Sequence, residues 1–373
     1  MADAPFDSAD YELVWPRELF ARELRALQAH RNAQERRTRI ETLLSAAFLG
    51  EQPRLDYEAR RSFGPFDGPD DDPWDDSVDL PTLLLSRLSE LREHHEPRPY
   101  WPHRHGQRRQ TDKTTRAPEP GFAKLINELR ADGYLDRAFP QDCVDANDSI
   151  EVDPSEILEE RLDIPDLWPL RPSDWDEDTF FGLVEVFHDL VARPRSRWFH
   201  SYSQCGWHYS EFSTDIGQAL YRWRVNRLLE ASGLELRLSD DDEDRGRLVR
   251  VVDDGRADLL ERALANPDPA VGGRVAHAIA QFRARAAGEH DKRSAVLTLA
   301  GILEERRELI STEIGKKDEG ALFTIANQFA IRHQRRGQQG DYDPAFLDWI
   351  FWWYLATVEL TDHLLARQDA SAV

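Results

Sequence analysis

Apolar residues recur at helical spacing along most of this chain, interrupted by stretches dense in Pro, Gly and Asp. Arg17 to Gly50 carries Leu19, Leu24, Leu27, Leu43, Leu44 and Phe48 in one long helical pattern, with Gly50 as the expected stop. Gly64 to Asp79 reads as a loop, and Leu80 to His94 as a short helix with Leu83, Leu84, Leu85, Leu88 and Leu91 on its apolar side. Gly121 to Phe139 predicts a helix with Phe122, Leu125, Ile126, Leu129 and Leu135 on one face. Thr179 to Ala192 is apolar on nearly every side, through residues such as Phe180, Phe181, Leu183, Val184, Val186, Phe187 and Leu190. That helix should therefore be buried all round. A turn, ARPRSR, and an aromatic segment, WFHSYSQCGWHYSEFS, then lead to a helix from Ile216 to Ser232, which Gly233 ends.

Leu234 to Leu238 and Leu248 to Val252 alternate apolar and polar positions around an acidic tip, which predicts a two-stranded hairpin. A helix from Gly255 to Ala265 precedes Asn266-Pro267-Asp268-Pro269, a breaker run that reads as a domain boundary. Beyond it the helical signal is continuous. Val275 to Ala287, Ser294 to Gly315 and Asp318 to about His333 are three helices, with Asp291 as a candidate N-cap. Pro344 opens a fourth, FLDWIFWWYLATVELTDHLLA, whose first half is apolar all round and needs cover from its own bundle and from a second subunit. The expected fold class is mainly α: a C-terminal four-helix, up-down bundle after a helical N-terminal and middle region with a small β-hairpin. The expected parts are residues 1–95, a basic Pro-rich linker at 96–120, a middle region at 121–266 and the bundle at 270–373.

The linker carries charge opposite to that of the whole chain. Between Arg98 and Arg116, the cations Arg98, Arg104, Arg108, Arg109, Lys113 and Arg116 face one anion, Asp112. It is either a solvated arm or the place where an anionic partner touches. Overall, 48 Lys plus Arg against 70 Asp plus Glu give a formal net charge of −22, which counts against general nucleic-acid binding. No apolar run reaches membrane-spanning length, and the acidic N-terminus is unlike a secretory signal, so no membrane partner is expected. Two distant cysteines, Cys143 and Cys205, suit a reducing compartment, and the expected location is cytoplasmic.

Within the C-terminal region, the step Ile302-Leu303-Glu304 ends one helix and KKDEG makes a turn. LFTIANQFAIRHQ, with an Arg-plus-polar pair at its end, follows, and an aromatic helix closes the unit. This order resembles the HEPN-type helical domains of abortive-infection proteins. The layout ahead of it, a helix containing RWRVNRLLEASG followed by a hairpin, is similar to the extensions such proteins carry. The likeness spans roughly the last 160 residues. It implies a homodimer and metal-independent RNA cleavage, in which a histidine moves the proton of the 2′-hydroxyl and an arginine stabilises charge on phosphorus. Carried over by position, Arg332 and His333 are the catalytic candidates, while Arg335, Arg336 and Gln338 would bind RNA. The family's second histidine would fall at Gly337, Gln338 or Gln339, and glutamine carries no proton at neutral pH. Three readings stay open: an RNase, a non-catalytic interaction or regulatory domain with a degenerate site, and a bundle that shares only the architecture. For Arg332 and His333 the plain alternative is helix C-terminal capping.

Elsewhere the chemistry is sparse. His200, Cys205 and His208 hold metal-ligand groups at loose spacing without a second pair, and nothing in the sequence places His188 beside them, so no metal is expected. The aromatic residues around them, Trp198, Phe199, Tyr202, Trp207, Tyr209 and Phe212, read as a loop packed against the core, with a ligand or partner surface as the alternative. The histidines of the arm (His94, His95, His103 and His105) read as solvated. No phosphate-binding glycine loop, dinucleotide fingerprint or nucleophile elbow occurs, so no cofactor is expected.

Overall fold

A computed structural model of the chain describes residues 9–62, 79–94, 117–140, 152–202, 206–241, 244–328, 343 and 345–371. The protein is mainly helical, with two small antiparallel hairpins, and it divides into two compact units, Met1–Gly233 and Leu234–Val373. The boundary expected at Asn266–Pro269 therefore falls inside the second unit.

In the first unit the long pattern from Arg17 to Gly50 is two helices, α1 (Arg17–Gln28) and α2 (Ala33–Ala47). Asn32 breaks it: extended at φ −75°, ψ 116°, its side chain accepts from the backbone N–H groups of Gln34 and Glu35 and caps α2. The break lets the two apolar faces fold onto each other, burying Phe20, Leu24, Leu27, Ile40, Leu43 and Leu44. Leu13 then bridges to both Phe48 and Glu93, so the N-terminal segment lies beside the end of α2. Next come α3 (Gln52–Ser62) and α4 (Leu80–Ser86), the latter shorter than the helix expected to His94 because a 3-10 turn, Leu88–Glu90, follows it.

Helix α5 (Glu119–Ala131) starts within the last residues of the expected linker, with Pro120 in its first turn where a missing N–H costs nothing. After α6 (Pro154–Leu162), α7 (Glu177–Leu190) is capped by Asp176, which accepts from the Thr179 N–H at 2.8 Å. It is buried on nearly all sides, as its composition requires. Phe122 of α5 meets Phe180 and Phe187 edge to face at 5.6 and 6.1 Å. Strands β1 (Arg193–His200) and β2 (Gly206–Ser213) lead into α8 (Thr214–Ala231). Gly217 lets α8 start hard against β1, since a Cβ there would lie 2.6 Å from the Arg193 nitrogen.

The second unit opens with the expected hairpin, β3 (Leu236–Leu238) against β4 (Leu248–Arg250). Helices α9 (Asp254–Leu264), α10 (Pro269–Arg283), α11 (Glu289–Glu305), α12 (Arg307–Glu313), α13 (Lys316–Gln328) and α14 (Ala345–Ser371) follow. All six helices contribute to one apolar core, including Leu260 and Ala263 of α9, which the sequence reading placed before the bundle. The helix expected from Ser294 to Gly315 is interrupted at Arg306. The Arg306 side chain donates to Thr361 Oγ1 at 2.7 Å and pairs with Asp362 at 2.6 Å, tying the break to α14. Asp291 is not the N-cap of α11; Gly288 is, and the Asp291 carboxylate reaches back to accept from the Gly288 N–H.

Candidate functional site

The catalytic and RNA-binding candidates Arg332, His333, Arg335, Arg336 and Gln338 lie outside the described residues, as do the cations of the 98–116 arm and Cys205. Among the described residues no group of three metal-ligating side chains comes together. His188 is buried on α7, beside Asp189 and accepting from Arg222 Nη1 at 2.9 Å. His200 and His208 have ring centroids 5.8 Å apart, and His208 stacks on Trp198. His94 is held by Glu12 at 2.9 Å.

The structure corrects the reading of residues 192–213. ARPRSR is not a turn, and the aromatic segment is not a loop packed on the core. They form the β1–β2 hairpin, in which Arg193 faces Ser213, Arg197 faces Tyr209 and Phe199 faces Trp207. Because side chains alternate along a strand, Arg193, Arg195, Arg197 and Phe199 share one face. The outer part is exposed: Phe199 is 59% accessible and Trp207 44%.

The inner part of that face forms one wall of a cavity of about 600 Å³. Trp15, the α2 residues Thr42 and Ser45, the α5 end (Glu128, with Asp132 just beyond it), Tyr134, Tyr209 and the α8 residues Trp223, Arg224 and Arg227 complete the wall. Its volume lies within the range of small-molecule sites.

Four arginines border it, and their charges are answered unequally. Arg224 is paired with Glu128. Arg193, 1% accessible, donates through Nη1 to Glu23 Oε1 at 2.6 Å and lies 5.2 Å over the Trp15 ring. Glu23 itself is wholly buried and also receives Arg195 through two bonds of 2.9 and 2.8 Å. Among the described residues the Nε and Nη2 groups of Arg193 have no partner, and neither does the buried hydroxyl of Ser45 in the same cavity wall. Among the described residues neither Arg197 nor Arg227 has a carboxylate within ion-pair distance. Arg197 lies 4.5 Å over the Trp207 ring, and Arg227 lies 4.9 Å over that of Trp223. Glu211 on β2 does not compensate these charges, being taken by Arg39 of α2 at 2.7 Å.

The electrostatics follow from this enclosure. Burial pulls the guanidinium of Arg193 below its ordinary value, with Tyr134 and Glu23 opposing, and burial also lowers Arg227. Burial raises the phenols of Tyr134 and Tyr209, so both stay neutral, and Tyr209 donates its O–H to the Ala131 carbonyl at 3.1 Å. Asp132 is raised by the same cause, with Arg224 drawing it back. The wall thus offers guanidinium, hydroxyl and phenol donors around one space, with aromatic rings between them. That set suits an anion.

No protein-family model matches this chain, and neither a curated protein nor a solved structure shows significant similarity to it.

The sequence reading missed this site because its members are scattered from Trp15 to Arg227. One local signal was present: Arg, Arg, Arg and Phe at every second position from 193 to 199, the period of a strand with one functional face.

Proposed function

We propose that the first unit is a binding module for a small anionic ligand, held in the arginine-lined cavity between α2, α5, α8 and the β1–β2 hairpin. The observation that carries this reading is the pair of orphaned polar groups in one wall, two N–H positions of Arg193 and the Ser45 hydroxyl. Buried polar groups are nearly always satisfied, and exceptions mark places where water or a ligand completes the set. Arg197 and Arg227 supply charge without a carboxylate partner among the described residues. In thermal denaturation, sulfate should raise the midpoint of the intact chain beyond chloride at equal ionic strength, and Arg227→Ala should cut that difference back to the general stabilisation sulfate gives any folded protein, whereas an undiminished difference in the variant would refute the site. Equal midpoints in the two salts would sink the reading.

For the second unit the function implied by the resemblance is a dimerising HEPN-like bundle of an abortive-infection-type protein. It would cut RNA without metal through Arg332 and His333, or act without catalysis as an interaction domain. An exposed stripe on α14 favours dimerisation. Phe346, Trp349, Trp353 and Leu360 fall within one narrow arc of the helix, and the first two are 44% and 50% accessible. Sedimentation should give a dimer that Trp349→Glu converts to a monomer. RNA incubated with the protein in EDTA should be cut, and Arg332→Ala or His333→Ala should end the cutting. An intact dimer with no cleavage selects the non-catalytic form, and a monomeric wild-type chain removes both. Among the described residues no helix is long and apolar enough to cross a membrane.

A further inference from the structure

We propose that the ligand of the arginine-lined cavity is a nucleotide, with its phosphate among the arginines and its base stacked at the rim against Trp207 and Phe199. The inference rests on the reading of the cavity as an anion site and names the class of anion.

The face of β1 that enters the cavity at Arg193 continues outward through Arg197 to Phe199 and the cross-strand Trp207. Arg197 belongs to both regions: it lines the cavity and lies 4.5 Å over the Trp207 ring. A phosphate bound by Arg197 is therefore one side chain away from an indole. Phe199 and Trp207 meet edge to face at 5.3 Å and keep 59% and 44% of their surface accessible. Two large rings left side by side in water, next to a cavity where Arg197 and Arg227 have no carboxylate partner among the described residues, match the two halves of a nucleotide. Guanidinium groups take the phosphate oxygens in paired N–H contacts, and the rings offer π-faces to the base.

A mononucleotide fits better than a polymer. The cavity is of small-molecule size, and a chain with a formal net charge of −22 repels long polyanions. The phosphate held in a screened cavity lined by arginines escapes most of that field.

The test is calorimetric titration of the intact chain with inorganic phosphate, adenosine, purine and pyrimidine nucleoside monophosphates, and a short single-stranded oligonucleotide. Monophosphates should bind about fivefold or more tighter than phosphate, since stacking one base on an aromatic ring is worth at least that factor. Phe199→Ala, at an exposed position, should reduce monophosphate affinity towards that of phosphate while phosphate affinity stays unchanged; Trp207→Ala, which also removes the ring under Arg197, should lower monophosphate affinity by a larger factor than phosphate affinity. Equal affinities for phosphate and monophosphates, or an affinity ratio that both variants leave intact, overturns the nucleotide proposal and leaves the anion site standing. Absence of any binding removes both. An oligonucleotide that binds tighter than every monophosphate, with steep salt dependence, would make the ligand a polymer and also overturn the proposal.

Discussion

Glu23→Ala is the sharpest test of how the cavity wall is built. Glu23 is completely buried on α1 and accepts one bond of 2.6 Å from Arg193 and two, at 2.9 and 2.8 Å, from Arg195. Arg195 reaches solvent and can rehydrate, so its share of the loss is small. Arg193 cannot. It is 1% accessible and already has two nitrogens without partners, so alanine at 23 leaves a buried cation with no answering charge. Breaking a buried pair from one side costs about 3–5 kcal/mol. For a unit of this size that lowers the melting midpoint by roughly 6–20 °C. The double variant Glu23→Leu/Arg193→Met removes both charges and replaces them with apolar bulk, so it should recover most of the loss. Equilibrium urea unfolding of the wild type, Glu23→Leu, Arg193→Met and the double variant closes the cycle. A single-variant loss below about 1 kcal/mol, the value of a surface pair, would refute the argument, and so would simple additivity in the double variant.

Two further outcomes follow from the same wall. Gly217→Ala places a methyl 2.6 Å from the Arg193 nitrogen and 2.8 Å from the Ala192 Cα, and backbone cannot yield as a side chain can. It should cost about 1–3 kcal/mol and weaken anion binding together with stability, which urea unfolding with and without sulfate would check. Asp132, whose carboxyl burial raises above the usual range, takes up its proton earlier than an ordinary aspartate as pH falls. Its negative charge at the rim opposes an anion when ionised. Sulfate, whose own charge does not change as a raised aspartate titrates, should therefore bind more tightly as Asp132 takes up its proton. Asp132→Asn should bind it at the tight limit already at neutral pH and lose the Asp132-dependent rise; a variant with the wild-type pH profile would show that Asp132 has no such role.

The helices that were legible in the sequence are those whose burial pattern is local. The α7 residues Phe180 to Leu190 are apolar all round, and α14 carries a run from Phe346 to Val358; the first composition requires a buried element and the second one largely covered, with Phe346 and Trp349 left exposed. The β3–β4 hairpin was equally readable, because Leu236 and Leu238 alternate with polar neighbours opposite Leu248 and Arg250. Breaks were harder to see. Asn32 and Arg306 interrupt helices without Pro or Gly, each through a side chain whose partner the periodicity does not reveal: backbone N–H groups for Asn32, Asp362 for Arg306. The β1–β2 hairpin was hidden for a different reason. Pro194 and three arginines resemble a turn, and only pairing with residues 206–213 makes them a strand.

By itself, then, the chain determined its helical class, the burial of α7, the small β3–β4 hairpin and the absence of familiar cofactor motifs, because each depends on neighbours within a few residues. Tertiary structure alone decided where the units divide, which helices share the second core and that Arg193, Arg197, Arg224 and Arg227 surround one space. The physical reason is the range of the forces. Periodicity and capping act over one or two turns of chain. A buried guanidinium, by contrast, is tolerated at position 193 only because Glu23, 170 residues away, is folded against it.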